Sequence, residues 1–148
     1  MPIPDFTLRS PLKSVYNTIV AAFSDCGLFF EADFYLEKMM DISRLDPCDS
    51  SVDFWNSDTL NELVYYDSKV YVKLGMGDVA GAEQASVDMQ AILTEREIPE
   101  DGRAFFLLQK EFTDLYLRLY QQKDKAVIAE EFNNYMKKME AGRVPGIP

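Results

Sequence analysis

Apolar residues recur along this chain at three- and four-residue spacing, the signature of amphipathic helices. Six such stretches are legible. The first carries Leu12, Val15, Tyr16, Ile19 and Phe23 and opens at Ser10-Pro11, where serine can cap free amides and proline suits the first helical position. It breaks at Ser24-Asp25-Cys26-Gly27, and a second helix spans Leu28 to Leu45, stopping at Asp46-Pro47. The capping box Thr59-x-x-Glu62 opens a third, which presents Leu60, Leu63, Val64, Val70, Tyr71 and Leu74 and ends at Gly75-Met76-Gly77. Asp78 caps a fourth helix, which runs to about Glu95. The fifth, with Pro99 able to sit in its first turn, presents Phe105, Leu108, Phe112, Leu115, Tyr116 and Leu119; Asp124 caps a sixth, ending at Ala141-Gly142. Nowhere do β-branched residues alternate over a useful length, so no strand is expected.

The even-numbered helices share a pattern: alanine, acid, five free positions, methionine, two more, then Ile or Met. It appears as Ala32-Asp33 to Met39 and Ile42, as Ala82-Glu83 to Met89 and Ile92, and as Ala129-Glu130 to Met136 and Met139. Offsets of zero, three, seven and ten share one helix face, and the third-offset residues Tyr35, Ala85 and Phe132 keep it apolar. Copies 50 and 47 residues apart point to a helical repeat. The preceding helices repeat too: Val70-Tyr71-Val72-Lys73-Leu74 matches Leu115-Tyr116-Leu117-Arg118-Leu119. The Ala-acid-x5-Met face is expected to be the seam that stacks one hairpin on the next, with alanine allowing close approach and methionine filling the gap.

The longest connection, Asp46 to Asp58, is rich in Pro, Ser and Asp. Its Phe54-Trp55 pair is expected to form a short helical turn packed over the gap between the first two hairpins, as core plug or surface hot spot.

Composition narrows the classes. A chain of 148 residues that is 47% hydrophobic and 13% aromatic can bury a core as a single domain, residues 1–148. With 25 acids against 15 bases the net charge is -10, and no basic stripe suggests nucleic-acid binding. A basic or amphipathic protein or peptide partner suits that charge. No stretch is apolar enough to span a bilayer, so no membrane insertion is expected. Met1-Pro2-Ile3-Pro4-Asp5 lacks the basic and apolar regions of a secretory signal, which fits an intracellular protein, cytoplasmic or, if a transit peptide has been removed, in an organelle.

Candidate chemistry is sparse. The chain has no histidine, the commonest general base and metal ligand. Cys26 beside a helix-ending glycine reads as a small buried hydrophobe, and Cys48 as an exposed loop thiol without an activating base. Asp46, Asp49 and Asp53 cluster in one loop but lack the glycine and closing glutamate of an EF-hand, so the expectation is a solvated acidic loop. No catalytic, cofactor-binding or metal residues are assigned, and no cofactor is expected.

A helix ending in glycine, a short turn, then a helix opening with alanine and closing at Asp-Pro resembles the tetratricopeptide repeat family. Gly27-Leu28-Phe29-Phe30-Glu31-Ala32, ending at Leu45-Asp46-Pro47, is the nearest unit, and Gly77-Asp78-Val79-Ala80-Gly81-Ala82 the next. The resemblance covers about residues 12–141 and implies an all-α, right-handed αα-superhelix of three hairpins, at about 11–45, 59–95 and 100–141, with an irregular tail over 142–148. The intervals exceed that family's 34, and the third unit lacks the turn glycine and final proline; a general αα-hairpin solenoid or six-helix bundle would share most features.

In that family the first helix of each hairpin lines a groove that holds a peptide or partner helix. The positions so implied are Asn17, Ala21 and Ser24; Tyr65, Lys69 and Val72; and Lys110, Asp114 and Leu117. One subgroup clamps a C-terminal carboxylate with Lys, Asn and Arg; of Asn17, Ala21, Lys69, Lys110 and Asp114 at the matching positions, only Lys110 agrees. Helix-in-groove binding is therefore expected over capture of a charged terminus. The leading expectation is a non-catalytic interaction module, an adaptor or scaffold subunit. The alternatives are a small acidic chaperone resembling those of type III secretion translocators, a subunit docking through its convex side, or an enzyme of unknown type.

Overall fold

A computed structural model describes residues 6–45, 54–121 and 124–141. They form six helices: α1 (Phe6–Asp25), α2 (Phe29–Leu45), α3 (Asp58–Gly75), α4 (Val79–Glu95), α5 (Glu100–Tyr120) and α6 (Lys125–Glu140). A 3-10 turn, Phe54–Asn56, stands between α2 and α3, and no strand occurs among the described residues. The helical turn expected at Phe54-Trp55 is thus present. Cys48, the Asp46, Asp49 and Asp53 loop and the tail at 142–148 lie outside the described residues.

Two helix starts differ from expectation. α1 begins at Phe6, ahead of Ser10-Pro11, so Pro11 falls in the second turn and forfeits the one amide bond it could have given to Thr7. α3 is capped by Ser57, whose Oγ accepts from the Leu60 amide at 3.2 Å. Glu62 does not close a box with Thr59; it pairs with Arg96, at the far end of α4. Asp78 and Asp124 cap α4 and α6 as expected.

The first two hairpin turns are built alike. Gly27 and Gly77 sit at φ 75° and 82°, a left-handed conformation that side chains resist. The Gly27 amide donates to the Ser24 carbonyl at 3.0 Å and the Leu28 amide to Phe23 at 2.8 Å. Fifty residues on, Gly77 donates to Leu74 at 3.0 Å and Asp78 to Lys73 at 2.8 Å.

Consecutive helices pack as hairpins, α1 with α2, α3 with α4, α5 with α6, and the hairpins join through α2 on α3 and through α5 on both α3 and α4. The seam positions of the first two copies are buried at these junctions. Ala32 and Met39 pack with Val20 of α1 and with Tyr65 and Val72 of α3. Met89 and Ile92 pack with Leu63 of α3 and Phe106 of α5, while Ala82 and Ala85 pack with Val70, Leu74 and Leu117. The acid after the alanine reaches the next hairpin in both cases. Asp33 lies 3.4 Å from Lys73 Nζ, a charge contact without a hydrogen bond at that buried oxygen, and Glu83 accepts from Gln121 at 2.7 Å.

The third copy departs. Ala129 is exposed, Met136 is 50% exposed and Met139 38%; α6 instead buries Ile128 and Tyr135, one residue back on the helix, toward α5. Among the described residues, no further helix covers the seam face. At the other end Val15, expected in the apolar stripe, is 53% exposed, and Val20 takes the buried place. Cys26 is exposed, correcting its reading as a buried hydrophobe: it lies just past the last residue of α1, in the turn.

Phe54 also sits elsewhere than expected. It packs on Leu63, Met89, Leu93 and Phe106, so the turn plugs the junction of the second and third hairpins. No helix among the described residues is long and apolar enough to cross a membrane.

Candidate functional site

The side of α3 that faces neither α2 nor α4 borders an open cleft against α1. Thr113 and Tyr116 of α5 meet its further edge, at Asp67 and Tyr71. The cleft holds about 260 Å³ and is lined by Asn17, Val20, Ala21, Ser24 and Asp25 from α1 and by Asp67, Ser68, Tyr71 and Val72 from α3. Lys13 of α1 closes the upstream end by pairing with Asp58 at the start of α3, Nζ to Oδ1 2.8 Å. Val20 and Val72 give an apolar floor; the rim is amide, hydroxyl and carboxylate.

Asn17, Ala21, Ser24 and Val72, from the implied groove set, meet in this cleft. The other five do not. Tyr65 is buried against α2, its hydroxyl donating to Glu37 at 2.5 Å, and Lys69 donates to that hydroxyl at 3.0 Å while its ammonium lies 5.1 Å above the Tyr65 ring. Lys110 and Asp114 bond each other at 2.5 Å, and Asp114 accepts from Ser86 of α4 at 2.6 Å. Leu117 is buried with Val70 and Leu74. α3 is apolar on the α2 side as well as the α4 side, so positions between its stripe residues are not automatically open.

Asp25, Asp67, Ser68 and Tyr71 were absent from the implied set. Tyr71 did carry a signal, because it aligns with Tyr116, and the two rings stack at 4.5 Å with planes 1° from parallel. The stack continues to Phe112, at 6.5 Å from Tyr116, and Tyr120 lies tilted against Tyr116 at 5.3 Å. Tyr71 and Tyr120 are exposed, leaving an aromatic shoulder beside the cleft. Trp55, 39% exposed, stands edge-on to Phe105, while its neighbour Phe54 is half-buried beneath.

Asp67 is the electrostatic centre. Its carboxyl is pushed up to about 6, first by burial and also by the negative Asp114, against the lowering effect of the Thr113 hydroxyl. Thr113 Oγ1 lies 3.1 Å from Asp67 Oδ1 and equally from the Gln109 and Lys110 carbonyls. One hydroxyl proton cannot serve three acceptors. The nearby lysines are engaged elsewhere, Lys69 with Glu37 at 3.6 Å, Lys73 with Asp33 and Lys110 with Asp114.

Two larger hollows lie away from this side. One of about 680 Å³ follows the α4–α5 connection from Thr94 to Pro99 and Arg103; the other, of about 380 Å³, lies between α5 and α6 among Glu111, Asp114, Arg118, Glu131 and Asn134. The first follows a single connection between α4 and α5 with a mostly charged lining, and the second lies within one hairpin; neither has the apolar floor of the α1–α3 cleft. Comparison with protein-family models, curated proteins and solved structures finds no match for the chain.

Proposed function

We propose that the chain is a non-catalytic interaction module in which three tetratricopeptide-like hairpins form a right-handed arc, and in which the α1–α3–α5 side receives a peptide or helix. The reading is carried by one observation: an open cleft between hairpins has an apolar floor, two carboxylates and an aromatic shoulder at Tyr71 and Tyr116. An amphipathic segment with a lysine or arginine fits that chemistry, its apolar side on Val20, Val72 and Tyr71 and its cation toward Asp25 and Asp67. The net charge of -10 would speed its approach.

The experiment is to identify bound proteins by affinity purification and mass spectrometry, then to titrate the isolated segment against wild type, Tyr71→Ala and Ser68→Arg. Loss of an aromatic anchor should weaken binding by about 30-fold. An arginine at 68 should fill the cleft and neutralise its charge. Affinity should also fall with added salt. Equal affinity across all three proteins would reject the groove, and salt-independent binding would reject its electrostatic part. Tyr65→Ala is no test of the groove, because Tyr65 is buried against α2 and its loss would disturb the fold.

A further inference from the structure

Among the described residues, the two ends of the helix stack leave largely uncovered the faces that correspond in position to those packed together inside it. The matching turns at Gly27 and Gly77 set α1 and α3 in register fifty residues apart, so Val15, Ile19, Ala22 and Cys26 of α1 occupy the places of Tyr65, Lys69, Val72 and Met76 of α3. On α3 that face is closed by α2, with Tyr65 and Val72 packed on Ala32, Leu36, Met39 and Met40 and with Met76 against them. On α1 that face is largely uncovered among the described residues: Val15, Ala22 and Cys26 are exposed and Ile19 is partly buried. At the other end, Ala129, Met136 and Met139 hold the places of Ala82, Met89 and Ile92 and lie open.

We infer that a second copy of this chain is the occupant of both faces: α1 of one molecule docks on α6 of another, head to tail, as α3 docks on α2 and α5 on α4 within the chain. The contact extends an existing interface and does not require a new one. Size and charge agree at its rim. Inside the chain the Phe29 ring fills the space that Gly75 leaves. At the equivalent place the small Ala126 would meet the larger Asp25 of the neighbour, with Lys125 beside it to pair that carboxylate. Asn133 stands where the first copy has Leu36 and the second has Ser86, so a polar residue at the centre has a buried precedent within the chain. Glu130, in the place of Asp33, would meet Phe23 where Lys73 stood, so the ion pair between Asp33 and Lys73 at the α2–α3 contact has no counterpart there.

One helix face per molecule is well short of the roughly 1,600 Å² of a standard interface, so association is weak and concentration-dependent. Because the two faces differ, the contact is heterologous and builds an open series instead of a closed pair. The net charge of -10 on each molecule opposes association, so salt should strengthen it by screening, the opposite of its effect on a basic groove ligand.

The test uses the full chain under reducing conditions, which keep Cys26 and Cys48 from cross-linking. Sedimentation equilibrium from about 10 μM to about 1 mM should show the average mass rising above 17.0 kDa, further at high salt. Val15→Asp should block the head and Met136→Asp the tail. Both sites are exposed, so the fold should survive, with unchanged circular dichroism as the check. Each variant alone should stay monomeric, while an equimolar mixture should form a species of about 34 kDa, twice the 17.0 kDa chain, and nothing larger. A wild-type mass that stays at the monomer value throughout would overturn the inference. So would association abolished by Met136→Asp but untouched by Val15→Asp, which would mean a symmetric α6–α6 contact, and so would a mixture that remains monomeric.

Discussion

Tyr71 and Tyr116 lie face to face, their ring centroids 4.5 Å apart and their planes 1° from parallel. They occupy the same place in the aligned segments Val70–Leu74 and Leu115–Leu119, so the stack is a direct consequence of α3 and α5 lying side by side in register. Thr113 meeting Asp67 at 3.1 Å, 46 residues apart, expresses nearly the same register. Aromatic pairs contribute about 0.5–1.5 kcal/mol beyond the area they bury. In urea unfolding of Tyr71→Ala, Tyr116→Ala and the double variant, the coupling energy should fall in that range, while Tyr71→Phe should stay close to wild type. Additive single effects would mean that the rings do not meet in solution.

Asp67 sets an unusual pH dependence. Its folded pKa, about 6, lies above the ordinary 3.8, so between those values the folded state holds the proton more tightly than the unfolded state does. Stability from this group therefore falls as pH rises from about 4 to about 6, and at neutral pH the buried carboxylate costs up to roughly 3 kcal/mol. A neutral Asp67 can donate to Thr113, freeing that hydroxyl's proton for a backbone carbonyl. Asp67→Asn keeps an acceptor for Thr113 and removes the charge. It should be more stable than wild type at pH 7.5 by about 1–3 kcal/mol and nearly equal at pH 3.5, as read from urea midpoints. Lower stability of the Asn variant at pH 7.5 would show that the carboxylate is compensated by a cation.

Helix type and most helix ends were legible because glycine and capping acids act locally: Gly27, Gly77, Asp78 and Asp124 each mark the boundary they were expected to mark, while Pro99 stands at the N-cap, one residue ahead of the first turn expected for it. Burial was less legible because it depends on neighbours. The same Ala-acid-x5-Met pattern is buried in α2 and α4, which pack on α3 and α5, and exposed in α6, whose seam face meets no further helix among the described residues. Phe54 was recognisable as a plug but not as a plug for α5, which lies more than forty residues away in sequence. The cleft was only half visible. Asn17, Ala21 and Ser24 lie on a helix that, among the described residues, packs mainly on α2, whereas Tyr65 lies on one packed on both sides, and periodicity alone does not separate the two cases.

Gly102 of α5 is fully enclosed by the plug, because a methyl group added there would overlap the Phe54 ring. In an open helix, Gly→Ala would stabilise by about 1 kcal/mol. Here overpacking should reverse the sign, and Gly102→Ala should destabilise by about 1–3 kcal/mol. Replacing Phe54 with Leu should relieve the overlap, so the double variant should lose less than the two single losses combined. A Gly102→Ala protein more stable than wild type would show that the Phe54–Asn56 turn lifts away without cost.

Met89 and Met136 test what the repeated pattern does. They hold the same place in successive copies, yet Met89 is fully buried among Leu63, Ile92, Leu93 and Phe106, while half of Met136 faces solvent. Removing a buried methionine side chain leaves a cavity as well as losing its transfer energy, so Met89→Ala should cost about 2–5 kcal/mol. Met136→Ala, measured at low micromolar concentration where copies stay apart, should change stability by no more than about 0.5 kcal/mol. Raising the concentration should make Met136→Ala increasingly less stable than wild type, since only wild type would gain from an occupied tail face. Similar large losses for both variants at low concentration would mean that the α6 face is already covered within the single chain, and the seam would then be an intramolecular device in all three copies.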